Sequence, residues 1–277
     1  MKMFEDQEPL IVIGMHRSGT SMIARVLHRC GVFMGANRNS HDEAYFFLRR
    51  NQWLLRTAHS YWDNPNSLHY LLEFKSARAE IIKIIKKDIS SLKAMQYFGS
   101  VQYLKLKFFN QYAFKWGWKD PLNSYTLPIW LEIFPNAKVI HVVRNGADVA
   151  HSLYNREKGR RNKLFNKNTS FRCFDLNEAF LLWAEYTTNC KNIAEGLPAE
   201  QIMQIRYEDF LNEPSKNLKR ISMFLNIDFL QAMESETIQS LKPEYAYRYK
   251  HDADIRSLYE RYRYHPIMTH YRYDYAN

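Results

Sequence analysis

Leu10-Ile11-Val12-Ile13-Gly14-Met15-His16-Arg17-Ser18-Gly19-Thr20-Ser21 is the stretch on which the reading of the whole chain turns. Four consecutive apolar residues suit a buried parallel strand. After the glycine-bounded loop, Met22, Ile23, Val26, Leu27 and Cys30 recur at helical spacing, and Gly31 stands where the helix should stop. Strand, glycine loop and helix form the unit in which backbone N–H groups and a helix N-terminus cradle phosphate oxygens. The spacing from Gly14 to Gly19-Thr20-Ser21 has the skeleton of a Walker A loop without its lysine. Thr20 occupies the lysine position, and a basic residue stands instead at Arg17. That shift argues against ATP hydrolysis.

Working outward, Phe114–Trp118 predicts a second core strand, followed by Lys119-Asp120-Pro121 and a helix to about Phe134. Val139–Val143 predicts another strand, which ends in Arg144 where a nucleoside-triphosphate hydrolase would place a magnesium-holding aspartate. A cation there suits a phosphate directly. Helices are expected over Glu43–Ser60, Leu68–Tyr97 and Leu176–Ala194, with a further strand at Ile202–Ile205, while residues 101–113 are ambiguous. Alternating strands and helices predict an α/β protein: a P-loop-type three-layer fold whose central parallel sheet is flanked by helices. The expected organisation is one domain over residues 1–277. Residues 243–277, with nine tyrosines among arginines and histidines, form an extension packed on it.

The 277 residues carry a formal net charge of +10, which favours an anionic partner without choosing one. Three widely spaced cysteines suggest neither a disulfide framework nor a metal site, and the ten histidines form no HExxH-like set. A short acidic lead without an apolar signal core, and no apolar run of bilayer length, make a soluble cytoplasmic protein the expectation.

Arg17-Ser18-Gly19-Thr20-Ser21, Lys119-Asp120-Pro121 and the segment from Val143-Arg144-Asn145-Gly146 to His151-Ser152 together resemble, in the same order, PAPS-dependent sulfotransferases. The resemblance covers most of residues 10–225, including Arg206-Tyr207-Glu208-Asp209-Phe210 with Glu213-Pro214. It is closer to bacterial, carbohydrate and protein-tyrosine sulfotransferases than to cytosolic small-phenol ones, whose loop has lysine where this chain has Arg17. The late Arg-Lys-Gly nucleotide clamp of the cytosolic enzymes is absent, which leaves the adenosine contacts unassigned.

The resemblance implies transfer of a sulfuryl group from 3′-phosphoadenosine 5′-phosphosulfate (PAPS) to an acceptor hydroxyl or amine, leaving adenosine 3′,5′-bisphosphate and needing no metal. By resemblance, the loop residues His16, Arg17, Ser18, Gly19, Thr20 and Ser21 hold the 5′-phosphosulfate, and Arg144 with Ser152 holds the 3′-phosphate. Lys119 and Arg17 would stabilise developing charge. Glu43, in Glu43-Ala44-Tyr45-Phe46-Phe47, resembles the base, with Asp42, His41 and His16 as alternatives. The acceptor stays open among an acidic glycan, a peptide tyrosine and a metabolite; no nucleic acid is expected, and oligomeric state is unknown. A P-loop nucleotide or small-molecule kinase and a non-catalytic polyanion binder are the rival readings. Arg156, Lys158, Arg160, Arg161, Lys163, Lys167 and Arg172 are expected to form a basic loop that guides anionic ligands.

Overall fold

A computed structural model describes residues 7–109, 114–159, 169–229, 241 and 243–275. Its centre is a sheet of four parallel strands, β1 (Leu10–Ile13), β2 (Gly117–Lys119), β3 (Lys138–Val143) and β4 (Ile202–Arg206), in the order β2-β1-β3-β4. The chain leaves β1, crosses to β2 on one side and returns to β3 on the other. The C-terminal ends of β1 and β3 therefore flank the switch point at which open α/β sheets bind ligands.

The alternation along β1 explains the layers. Ile11 and Ile13 join one core with residues of α2 (Tyr45–Thr57), α4 (Lys75–Ile89) and α7 (Asn123–Ile133). Leu10 and Val12 face the other side, against α1 (Thr20–Arg29) and α11 (Pro214–Leu225). Because both faces are covered, the strand is apolar throughout and fully buried. Beside β2, Phe47 of α2 stacks on Trp118 with ring centroids 3.8 Å apart, fixing the strand end that carries Lys119.

A third core joins α8 (Gly146–Lys158) and α9 (Leu176–Glu195) to the C-terminal segment, which contains α12 (Ala253–Tyr262) and α13 (Pro266–His270). Tyr249, Leu258, Tyr259, Tyr271 and Tyr273 are buried there, so these tyrosines serve as core side chains, while Tyr245, Tyr264 and Tyr275 are exposed.

Local differences from the sequence reading have local causes. The helix expected over Leu68–Tyr97 is divided into α3 (Ser67–Glu73), α4, a 3-10 turn at Leu92–Ala94 and α5 (Met95–Phe98). Phe74 breaks it in extended geometry (ψ 99°), and Ser91 starts the 3-10 turn by accepting the Lys93 backbone N–H. The ambiguous stretch contains α6 (Ser100–Phe109). Strand β2 is shorter than expected, starting three residues later and ending one residue later, so it includes Lys119 itself. Tyr207–Asn212 forms a further short helix, α10, directly after β4. Cys30, Cys173 and Cys190 are free thiols.

Candidate active site

The glycine loop that joins β1 to α1 owes its shape to two of its residues, Gly14 and Gly19. Gly14 has φ 138°, and a Cβ there would stand 2.3 Å from the Val142 carbonyl oxygen. Gly19, with φ 91°, lies under the Tyr207 ring, which a Cβ would meet at 2.2 Å. Arg17 itself takes φ 70°, a left-handed conformation uncommon for a non-glycine residue. The Gly14 N–H donates to Ser124 Oγ at 3.2 Å, tying the loop to α7. Ser18 is fully buried, and its Oγ has no hydrogen-bond partner among the described residues, so the loop interior holds an unused polar atom.

The sequence-predicted donor residues converge. Arg17 Nε donates to Ser152 Oγ at 2.9 Å across 135 residues of chain. Arg144, 8% exposed, lies with its guanidinium 4.6 Å from the Tyr207 ring centroid and donates to the Arg17 carbonyl at 3.4 Å. Arg144 precedes the helix instead of lying in it, because Asn145 is the N-cap and accepts from Ala147 N and Asp148 N. The four-residue spacing still brings Arg144 Nη2 within 3.3 Å of Asp148 Oδ2. Asp148 also accepts the backbone N–H groups of Arg248 and Tyr249, and Arg144 donates to the Tyr245 carbonyl at 3.0 Å. The C-terminal segment is thereby fastened over the Arg144 side of the cleft. Arg144 Nε remains without a partner among the described residues.

The other half of the site is a buried ion pair. Lys119 Nζ, on a side chain only 1% exposed, lies 2.9 Å from Glu43 Oε1. Glu43 sits just before α2, whose N-cap is Ala44, and not in the helix's first turn. Asn39 fixes it from a tight turn: its amide donates to Glu43 Oε2 at 2.7 Å, and its Oδ1 accepts from the Glu43 and His41 backbone N–H groups. Of the alternatives, Asp42 is engaged with Arg25 and Arg38, and His41 is exposed. Burial, and then the nearby Glu43 carboxylate, push the Asp120 carboxyl up to about 7. Asn51 donates to Asp120 Oδ2 at 2.8 Å and also holds Asn123, Thr126 and Trp130.

His16 lies between the two halves. Its ring meets Trp62 edge-on at 5.0 Å and Tyr186 at 6.3 Å, and its Nε2 is buried without a partner among the described residues. Burial holds its pKa well below the ordinary range, and Arg156, Lys119, His41 and Arg17 act in the same direction.

Sequence reasoning did not single out Asn39, Ser124, Trp62 or Tyr186. Only Tyr207 and Glu208 had a signal, as members of the late motif. Glu208, fully buried, accepts from the Asn145 backbone N–H at 2.9 Å and from the Tyr273 hydroxyl at 2.7 Å, holding the end of β3 in place.

The basic-loop expectation needs correction. Arg156 and Lys158 belong to α8, and Arg172 is bound in a 3-10 turn by Glu185 and Glu178. Arg160, Arg161, Lys163 and Lys167 lie outside the described residues. Among the described residues, no group of three or more His, Cys, Asp or Glu is placed to hold a metal ion, and no helix is long and apolar enough to cross a membrane.

A family model described as "Sulfotransferase family" matches residues 9–231. A Caenorhabditis elegans protein named "Putative protein-tyrosine sulfotransferase" is 31% identical over 119 residues, covering 42% of this chain and 41% of that protein. Its Caenorhabditis briggsae namesake is 27% identical over 115 residues, covering 42% of this chain and 38% of that protein. The match thus spans about two fifths of the length of these curated relatives. The sulfotransferase domain of the Synechococcus PCC 7002 olefin synthase shares the fold, with a TM-score of 0.53 and 18% identity over 94% of this chain and 98% of that domain.

Proposed function

The chain belongs to the sulfotransferase family, and from that membership we propose that it moves a sulfuryl group from PAPS to an acceptor hydroxyl or amine. The observation that carries this reading is the meeting, at one edge of one sheet, of a lysine-free phosphate loop, the Arg17–Ser152 and Arg144 contacts, and the buried Lys119–Glu43 pair. The residues fit such a donor. Buried Ser18 Oγ and Arg144 Nε have no partner among the described residues, and the space at Gly14 admits only a bare backbone.

In this reading the loop N–H groups with Ser18, Thr20 and Ser21 hold the 5′ end of the nucleotide, and Arg144 and Ser152 hold its 3′-phosphate. When bound, PAPS supplies an activated sulfuryl group for in-line displacement. Lys119 and Arg17 supply positive charge where the leaving phosphate oxygen gains negative charge. Glu43 takes the acceptor's proton as the oxygen–sulfur or nitrogen–sulfur bond forms, and Asn39 and Lys119 orient its carboxylate for that step. The acceptor class stays as broad as hydroxyl or amine.

Thermal-shift titration with adenosine 3′,5′-bisphosphate, ATP plus magnesium, and an oligonucleotide separates this reading from the kinase and polyanion alternatives, since a ligand of the native state raises its stability. A selective rise with the bisphosphate is expected. A response to ATP–magnesium alone would favour the kinase reading and overturn this one.

A further inference from the structure

His16 stands out because it is the one loop side chain with a buried ring nitrogen lacking a partner among the described residues, and because Arg156, Lys119, His41 and Arg17 all act on it as positive charge. Arg17 comes from the loop, Arg156 from α8, Lys119 from the end of β2 and His41 from the turn before α2. Lys119 and Arg156 are each paired with a carboxylate, Glu43 and Glu157. Trp62 and Tyr186 wall the ring, and burial, with Tyr125, Asp120 and Asp63 acting in the same direction, raises the Tyr186 phenol well above its ordinary pKa, so the phenol itself is no anion. In the unliganded protein a charged imidazole would be a further buried cation among cations, so the ring is neutral. An anion arriving in the loop shifts the balance, because it adds negative charge beside a ring on which Arg156, Lys119, His41 and Arg17 now act.

We infer that His16 is a proton-linked ligand of the donor site: it is neutral in the free protein and takes up a proton when the anionic 5′ end of the nucleotide binds. The inference rests on the nucleotide-donor reading above. Its sign follows from linkage. A group whose pKa is raised by a ligand makes that ligand bind more tightly as pH falls, until the pH drops below the group's pKa in the free protein. Loss of the imidazole should then weaken nucleotide binding more at pH 6.5 than at pH 8. An isosteric packing residue would show no such dependence.

The test is calorimetric titration of adenosine 3′,5′-bisphosphate at pH 7 in two buffers of different ionisation enthalpy, which counts protons taken up per ligand bound. Wild type, His16→Asn, His16→Gln and His41→Asn are compared, so protonation of the ligand itself cancels. Wild type and His41→Asn should take up more protons than either His16 variant, by up to about one proton. The affinity ratio between wild type and His16→Asn should grow by as much as about tenfold per pH unit as pH falls from 8 to 6.5. Equal proton numbers in wild type and the His16 variants overturn the inference, as does loss of uptake in His41→Asn alone. Should both His16 variants unfold, imidazole NMR titration of wild type decides. At least one histidine midpoint must rise when the bisphosphate is added, and none rising overturns the inference. Absence of any binding heat would instead overturn the nucleotide reading, and this inference with it.

Discussion

At the scale of single residues, the buried Lys119–Glu43 pair permits a clean separation of chemistry from binding. Glu43→Gln keeps the size of the side chain and an oxygen that can accept from Lys119 or Asn39, but it cannot take a proton. Turnover of PAPS should therefore fall by about 10²–10⁴-fold, the usual contribution of a general base, while bisphosphate affinity stays within a few-fold of wild type. Near-normal turnover would rule Glu43 out as the base. Arg144→Ala probes the opposite end. It removes a charge-assisted contact to a group that adenosine 3′,5′-bisphosphate has and 5′-AMP lacks. Bisphosphate binding should weaken by about 1.5–3 kcal/mol and AMP binding much less. Parallel losses for the two ligands would mean that Arg144 only braces the Arg17 and Tyr245 carbonyls.

At the scale of elements, the site depends on how two strand-to-helix junctions are built. The β1–α1 junction has no side-chain cap, and its turn is set by Gly14 and Gly19. The β3–α8 junction is capped by Asn145, whose own N–H is held by Glu208. These devices differ in cost. Gly14→Ala forces a methyl group against the Val142 carbonyl at φ 138°, and neither backbone can yield without moving β3. A loss above about 2 kcal/mol in denaturant unfolding is expected, with bisphosphate binding abolished. Asn145→Ala removes two cap hydrogen bonds and should cost about 1 kcal/mol, with a smaller effect on affinity. If the alanine at Gly14 proved the milder of the two, the close approach of loop and β3 would be wrong.

At the scale of the whole molecule, the C-terminal extension joins the core with the sheet instead of riding on it. Tyr273 donates to Glu208, Asp148 holds the Arg248 and Tyr249 N–H groups, and Tyr271 packs edge-on against His141 in the middle of β3. Burial, reinforced by His270, lowers the His141 pKa from 6.5 to about 4. Between these values the unfolded chain binds more protons than the folded one. The stability is thus fully present above pH 6.5 and is lost as pH falls toward 4, an effect of about 3 kcal/mol. The unfolding free energy of wild type minus that of His141→Leu should fall by about 3 kcal/mol between pH 7.5 and about 4. The unfolding transition followed by hydrogen exchange at residues 243–275 should coincide with that followed by far-ultraviolet circular dichroism, which reports the sheet and helices. Separate transitions would show the extension to be an independent unit.

What the sequence alone determined lies where the signal is local. Leu10–Ile13 is a strand because four apolar residues before a glycine loop must be buried on both faces, and Gly14 and Gly19 announce the turn into α1 because few other residues adopt its dihedrals. The Arg144-to-Ser152 spacing and the basic ends of β2 and β3 were equally legible, as were the long helix after Leu176 and the order of strands and helices. The tertiary structure decided which of these residues meet. Nothing in the local pattern says that Arg17 reaches Ser152, that Lys119 pairs with Glu43 across 76 positions, or that Asn39 orients the carboxylate. Nor could the tyrosines of residues 243–275 be assigned to a core. Their spacing follows neither a helical nor a strand period, and only packing against α8, α9 and β3 selects the ones that are buried.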